Sequence, residues 1–149
     1  MLVIDKSNSF NFMDELNPEI RNRIADLVEV KRVEPGEWLF EQDDFADYVY
    51  MIKKGRISLI MQFRDSLEDK LPSYGEGDII GWSALVPPHI YTMGALAEEY
   101  TILVGFEGER LLKVMEEDKE AGYYIFRNIS QVIGNRLVSV CTQLMSLRV

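Results

Sequence analysis

The spacing of apolar residues divides the chain into a short helix, a series of strands and a helical C-terminal part. Residues 17–29 are predicted to form a helix, because Asn17-Pro18-Glu19 supplies a capping side chain, a proline in the first turn and a carboxylate near the positive end. Its apolar stripe, at helical spacing, consists of Ile20, Ile24, Leu27 and Val28. Ahead of it, Phe10, Phe12 and Leu16 are expected to cover the edge of the core.

Residues 30–106 follow a different pattern, with short extended runs separated by Pro-Gly, Lys-Gly or Gly-rich turns. The runs are VKRVE, EWLFE, DYVYMI, RISLIMQF, DKLPSY, TMGALA and TILVGF. The polar segment 65–69 between two of them is predicted to be an exposed hairpin loop. Many short strands at such spacing are typical of a sandwich, barrel or jelly roll, and no long helix intervenes as a parallel βαβ layer would require.

Residues 75–97, called the cassette below, combine glycine-rich turns with one short helix. The turn 75–78 (GEGD) leads into the two-residue strand Ile79-Ile80, and Gly81 breaks it. Residues 82–86 are long enough for one or two helical turns, and Pro87-Pro88 ends them. A glycine-led helix start beside a returning strand predicts a pocket for an anion, because free backbone N–H groups converge there.

Helical spacing returns after Phe106, in residues 107–149. A short helix around residues 110–115 is followed by a longer one over about 119–147. On the longer helix a heptad seam, with spacings of four and three, consists of Phe126, Ser130, Ile133, Leu137, Val140, Leu144 and Leu147. A second strip, Ile125, Ile129 and Val132, suits packing on the barrel. Because one barrel can cover only one strip, we expect a homodimer through Phe126, Ile133, Leu137, Val140 and Leu144.

Composition excludes several classes of function. The 149 residues make one domain of ordinary size, and the net charge of −9 disfavours a large nucleic-acid surface. No stretch approaches the ~20 apolar residues that span a bilayer, and the N-terminus lacks a secretory signal, so a cytoplasmic location is expected. One Cys excludes an internal disulfide and Cys-rich metal sites.

The single histidine, His89, limits the chemistry further. It cannot build a cupin-type metal site or a Ser–His–Asp triad, and no phosphate-cradling G-x-x-x-x-G-K-[ST] sequence occurs. We therefore expect no enzyme, no catalytic residue, no metal and no resident cofactor. A lone axial ligand for haem is one alternative for His89, and an exposed loop residue is the other.

Four motifs carry a family resemblance over roughly residues 10–140. They are Pro35-Gly36-Glu37 with Leu39-Phe40 and Gln42-Asp43, the hairpin YVYMIKKG at 48–55 followed by ISLI at 57–60, the turn GDIIG at 77–81, and the cassette. In this order they resemble the cyclic nucleotide-binding domain of the catabolite activator/FNR family and of kinase regulatory subunits. The resemblance implies a mainly β fold with flanking α: a double-stranded β-helix, or jelly-roll barrel, with an N-terminal helix, a short cassette helix and a C-terminal dimerisation helix.

The resemblance also places the two ligand readers of the family in the cassette. In the family a Glu after the cassette glycine holds the ribose hydroxyl and an Arg near the cassette's end pairs with the cyclic phosphate. Those positions carry Trp82 and Tyr91 here, and no Lys or Arg occurs between Lys70 and Arg110. Indole only donates and phenol is neutral, so neither ring replaces the charged readers.

The sequence therefore predicts a non-catalytic regulatory or sensor module with altered or lost cyclic-nucleotide recognition. The predicted pocket residues are Ile80, Gly81, Trp82, Ser83, Ala84, Tyr91 and Thr92. Trp82 and Tyr91 either line a pocket for a less charged small molecule or fill a vestigial one. A cyclic nucleotide is disfavoured as ligand.

Three other functions stay open on the sequence. They are a scaffold with a filled pocket and an unidentified protein partner, a fragment of a cyclic-nucleotide-responsive transcription regulator, and a metal enzyme on a cupin-like barrel. In the resembled family the C-terminal helix leads into a DNA-binding helix-turn-helix domain. This chain ends at Val149, so no direct nucleic-acid binding is expected.

Overall fold

A computed structural model describes residues 15–63 and 67–147 of the chain. Its first helix, α1 (Pro18–Ala25), begins as predicted, since Oδ1 of Asn17 accepts the N–H of Ile20 at 2.9 Å. Leu16, Ile20 and Ile24 are buried, while Phe10 and Phe12 lie outside the described residues.

The prediction that this helix continues to residue 29 was wrong. The chain turns after Ala25, where the N–H of Leu27 donates to the carbonyl oxygen of Ile24. Val28 already pairs with Phe106 in an antiparallel ladder of six residues. Val28 and Val30 also satisfy the two-residue period of a strand, so the β structure starts two residues before the predicted position 30.

Eight strands form two antiparallel sheets of four. The first sheet has the order β1 (Val28–Val33), β8 (Thr101–Glu107), β3 (Tyr48–Lys54), β6 (Ile79–Ile80). The second has the order β2 (Trp38–Phe40), β7 (Gly94–Ala97), β4 (Ile57–Phe63), β5 (Leu67–Tyr74). Neighbouring strands are mostly distant in sequence, as in a jelly roll, so the predicted fold class is confirmed.

The second sheet corrects one loop boundary. Strand β5 begins at Leu67 and pairs with Phe63 across the hairpin, so the predicted loop at 65–69 is shorter than expected. Residues 64–66 lie outside the described residues. The two sheets share one apolar core, whose largest fully buried side chains in the strands are Val49, Met51, Ile52, Ile57, Ile80, Leu103 and Phe106.

Two helices follow the strands, α2 (Gly108–Glu117) and α3 (Lys119–Ser146). Asp118 separates them and caps α3, since its Oδ1 accepts the N–H of Ala121 at 3.0 Å. Ile125 and Ile129 of α3 are buried in the core and Val132 is partly buried against it, so the second apolar strip packs where the sequence predicts. Within the described residues, no helix is long and apolar enough to cross a bilayer.

The buried strip of α3 gives a test of how this helix is held on the strands. Ile125→Ala should lower the free energy of unfolding by about 2–5 kcal/mol, because a fully buried isoleucine leaves a cavity that its neighbours fill only partly. Ser139→Ala, at an exposed position of the same helix, is the matched control and should change stability by less than about 0.5 kcal/mol. Chemical denaturation measures both; equal effects would contradict this packing.

Candidate functional site

The cassette is tied to the first sheet through β6. Ile79 and Ile80 pair with Met51 and Tyr50 of β3, and both isoleucines are buried. A single 3₁₀ turn, Trp82–Leu85, follows at the place predicted for a helix. Ala84 in this turn packs so closely on α2 that a Cβ at Gly108 would lie 2.4 Å from its carbonyl oxygen. The cassette is thus fixed on one side by β3 and on the other by α2.

Gly81 makes the transition from strand to 3₁₀ turn possible. Its φ of +79° lies in the left-handed region that glycine enters at little steric cost. A Cβ at this position would stand 2.9 Å from the carbonyl oxygen of Tyr48 and 3.3 Å from the ring of Tyr91. The glycine is therefore required both by the turn and by the close approach of β3.

Tyr91 is a fixed part of the site. Its hydroxyl donates to the carbonyl oxygen of Tyr48 at 2.6 Å and accepts the N–H of the same residue at 3.2 Å. Its ring stacks on Phe40 with 3.7 Å between the centroids, and the residue is 3 % exposed. Burial raises the pKa of the Tyr91 phenol well above its ordinary value, so the side chain is neutral at physiological pH.

A cavity of about 50 Å³, called the cassette cavity below, lies beside Tyr91. Its lining residues are Phe40, Leu59, Gly81, Trp82, Ser83, Tyr91, Thr92, Met93 and Arg136. Five of the predicted pocket residues, Gly81, Trp82, Ser83, Tyr91 and Thr92, are thus brought together. Ile80 and Ala84 are not among them: both are at most 2 % exposed and belong to the core. The cavity is far smaller than the roughly 300–1,000 Å³ of typical ligand sites.

Arg136 of α3 reaches this cavity and was missed by the sequence reasoning. Its guanidinium carbon lies 4.2 Å from the ring centroid of Tyr74 and 4.6 Å from that of Trp82, and its Nη2 donates to the carbonyl oxygen of Ile79. The cassette has no cation of its own, but the fold supplies one from 45 residues further along the chain than Tyr91. The sequence signal was its spacing, since Arg136 lies four residues after Val132 and seven after Ile129 and so continues the strip of α3 that packs on the core.

His89 lies at the outer end of the cassette, away from the cassette cavity. Its Nδ1 is 3.2 Å from the carbonyl oxygen of Ser83, and it lines a second cavity of about 230 Å³ with Phe45, Asp47 and Glu107. Among the described residues no three His, Cys, Asp or Glu side chains are grouped as metal ligands.

The seam of α3 lies largely in solvent. Leu137 is 63 % and Leu144 59 % exposed, and Phe126 and Val140 are also exposed. Ile133 differs from them, because it is partly buried against the core rather than free to meet a second copy. Four of the five predicted interface residues are therefore available on one helix.

Comparison with known proteins places this geometry in a family. Residues 30–118, more than half of the chain, match the family model of the cyclic nucleotide-binding domain. The chain belongs to this family. The match covers all eight strands, apart from the first two residues of β1, together with the cassette and α2. The predicted membership is confirmed.

Similar proteins include kinase subunits and bacterial regulators. The chain is 28% identical over 107 residues to a cAMP-dependent protein kinase regulatory subunit of Emericella nidulans, covering 70% of this chain and 25% of that protein. It therefore spans about a quarter of that relative's length. A protein from Geobacter metallireducens GS-15, described as cyclic nucleotide-binding, has a crystal structure with a TM-score of 0.81 at 25% identity, covering 92% of this chain and 99% of that one.

A third similarity concerns the fold alone. The catabolite activator protein of Thermus thermophilus is 20% identical, with a TM-score of 0.73 over 93% of this chain and 63% of that protein. This cyclic nucleotide-binding domain thus has the fold of such proteins. Trp82 and Tyr91 are the two aromatic residues of its cassette that line the cavity.

The glycine before the 3₁₀ turn allows a matched test. Gly81→Ala should destabilise the domain by about 1–3 kcal/mol, because an L-residue there combines a left-handed backbone with a contact below van der Waals distance. Gly134→Ala, in the middle of α3 with no atom within 4 Å, should instead stabilise it by up to about 1 kcal/mol. Thermal denaturation measures the melting temperature of each variant. A change of the same sign in both variants would contradict this geometry.

Proposed function

We propose that this cyclic nucleotide-binding domain is a non-catalytic regulatory module whose recognition of cyclic nucleotides is altered or lost and which acts through a homodimer. The observation that carries the proposal is the fixed position of Tyr91. The side chain at the family's arginine position is bonded to the backbone of β3 and stacked on Phe40, so it occupies the site rather than reading a ligand.

Electrostatics support the loss of nucleotide recognition. Among the described residues that line the cassette cavity, no carboxylate is available for a ribose hydroxyl, and Trp82 stands where the family has its acid. The one guanidinium present, that of Arg136, already contacts Trp82, Tyr74 and the carbonyl oxygen of Ile79. A nucleotide would have to displace these contacts and enlarge a space of about 50 Å³.

A regulatory role without catalysis agrees with the relatives and with the side chains present. The similar kinase protein is a regulatory subunit, and His89, the only histidine, lies outside the cassette cavity. The pure scaffold is the second candidate, and the same closure by Tyr91 favours it. Thermal shifts against a panel of nucleotides and metabolites separate the two, since a scaffold would show no response to any of them.

The first test is calorimetric titration of the unmodified chain with cyclic AMP and cyclic GMP. Each hydrogen bond to a charged group contributes about 1.5–3 kcal/mol, so losing both readers should weaken binding by roughly 10²–10⁴-fold relative to a domain that keeps them. The double variant Trp82→Glu, Tyr91→Arg restores the two side chains and should bind measurably more tightly. Circular dichroism checks that it folds, because Tyr91 is buried. Tight, specific uptake by the unmodified chain would overturn the proposal.

The dimer rests on the exposed seam of α3. Leu137, Val140 and Leu144 follow one another at spacings of three and four on a helix whose adjacent strip is already buried in the core. Exposed leucines in a continuous heptad pattern are stabilised when a second helix covers them. A second copy of this chain presents the same seam, so a two-fold helix pair satisfies both copies at once.

Leu144→Glu tests this interface. Burying a leucine contributes about 1.5–3 kcal/mol, and each dimer contains two, so the dissociation constant should rise at least about 100-fold. Ser139→Glu adds the same charge on α3 outside the seam and should leave association unchanged. Light scattering coupled to size exclusion measures both variants. A wild-type chain that is monomeric throughout the concentration range would refute the dimer.

A further inference from the structure

The guanidinium of Arg136 is only partly satisfied in the fold. Nη2 donates to the carbonyl oxygen of Ile79, whereas Nη1 is buried and has no hydrogen-bond partner among the described residues. No ion pair found within the described parts of the chain involves Arg136. The N–H groups of Nη1 thus have no acceptor among the described residues, and the carboxylate of Asp78 acts on the charge of Arg136 without forming an ion pair with it.

Burying the unpaired Nη1 of Arg136 has a desolvation cost that the contacts of this side chain do not fully offset. Cation–π contacts with Tyr74 and Trp82 offset part of the desolvation, each by about 0.5–2 kcal/mol. An unpaired buried donor nevertheless costs about 1–3 kcal/mol, and more when the group is charged. Burial lowers the pKa of Arg136 from its ordinary value, because removing the charged guanidinium from water is unfavourable. An arginine in a protein nevertheless stays protonated. An oxyanion beside Nη1 would remove this cost.

The cassette cavity provides the space for such an anion. Arg136 lines it together with Gly81, Ser83 and Thr92, and it is the only charged residue among the described residues that do so. One water needs about 10–15 Å³ of such space, so a cavity of about 50 Å³ corresponds to roughly three to five heavy atoms. That is the size of acetate or inorganic phosphate and too small for a nucleoside.

We propose that the cassette cavity binds a small free oxyanion, of the phosphate or carboxylate class, through the guanidinium of Arg136. The cation comes from α3 instead of from the cassette, with Trp82 stacked against it and the hydroxyls of Ser83 and Thr92 nearby. The inference rests on the proposed function and deepens it, because it names the ligand class that this altered pocket takes.

A purely mechanical role for Arg136 is the competing explanation. In that case the side chain holds α3 against the cassette through Ile79, Trp82 and Tyr74, and the cavity binds no anion. This explanation accounts for the hydrogen bond of Nη2 and for both ring contacts, but it does not explain why Nη1 is buried without an acceptor. The two roles differ in whether anions saturate the site.

Tryptophan fluorescence gives a direct measurement. The chain has two tryptophans, so Trp38→Phe leaves Trp82, in contact with Arg136, as the only tryptophan, which is excited selectively at the red edge of the absorption band where tyrosine does not absorb. This variant is titrated with sodium phosphate, sodium acetate and cyclic AMP, with sodium chloride keeping the ionic strength constant. We expect a saturable change in Trp82 emission with phosphate or acetate and none with cyclic AMP.

Variants of two arginines on α3 show whether Arg136 is responsible for the change in Trp82 emission. Adding Arg136→Gln should weaken oxyanion binding at least about 10-fold, since a charge-assisted hydrogen bond is lost. Adding Arg127→Gln instead removes a guanidinium that pairs with Glu15 at 3.3 Å, away from the cavity, and should leave the titration unchanged. If Arg136→Gln fails to fold, Arg136→Lys keeps the charge without the planar fork and should bind more weakly than arginine.

The outcomes separate this inference from the proposed function. Absence of a saturable response to phosphate and acetate, or an equal response in Arg136→Gln, would overturn the oxyanion site and leave Arg136 with the mechanical role. In either case the regulatory module with lost nucleotide recognition still stands. Tight binding of cyclic AMP in the same titration would instead overturn the proposed function.

Discussion

The bond between the hydroxyl of Tyr91 and the backbone of Tyr48 determines where the cassette lies. Tyr48 is the first residue of β3 and pairs with Glu107 of β8, one residue before α2 begins. Its carbonyl oxygen is also the atom that Gly81 approaches too closely to tolerate a side chain. One backbone position thus fixes the returning strand of the cassette, the turn before its 3₁₀ helix and, through β8, the start of the C-terminal helices.

This anchoring explains how the fold accommodates a buried neutral ring at position 91 of the cassette. A phenol at position 91 hydrogen-bonds both backbone groups of Tyr48, the first residue of β3, and stacks on Phe40, so its burial is compensated by hydrogen bonds and ring contact. The positive charge of the site is then held by α3, at Arg136. Cassette and helix are therefore in electrostatic as well as steric contact, whatever occupies the cavity.

Local chemistry in the sequence was sufficient for most of the fold. The capping side chain of Asn17, the glycine turn at 81 and the two-residue period of the strands each act over a few residues, and each is found where it was predicted. Val28 was assigned to a helix because its spacing fits both periods, and only the ladder with Phe106 decides between them. Ile80 and Ala84 were predicted to line the pocket because they are sequence neighbours of Gly81 and Ser83, whereas their side chains are buried in the core.

The site was harder to predict because its cation is remote in sequence. Arg136 lies 54 positions after Trp82, one helical turn beyond Val132 on the strip of α3 that packs on the core. Its spacing predicts the face on which it lies, but no local pattern tells which atoms of the cassette a long side chain will reach. With Ile125 and Ile129 buried in the core, Arg136 comes within reach of the carbonyl oxygen of Ile79.

The length of α3 has a mechanical consequence. Its 28 residues extend about 42 Å, but only the first half contributes buried side chains to the core, and within the helix every residue from Leu137 to Ser146 is exposed. The last ten residues of the helix therefore project about 15 Å beyond Arg136. A tilt of α3 by a few degrees about Arg136 would displace the end of the helix by about 1 Å, which is comparable to the helix displacements known at subunit interfaces of allosteric proteins.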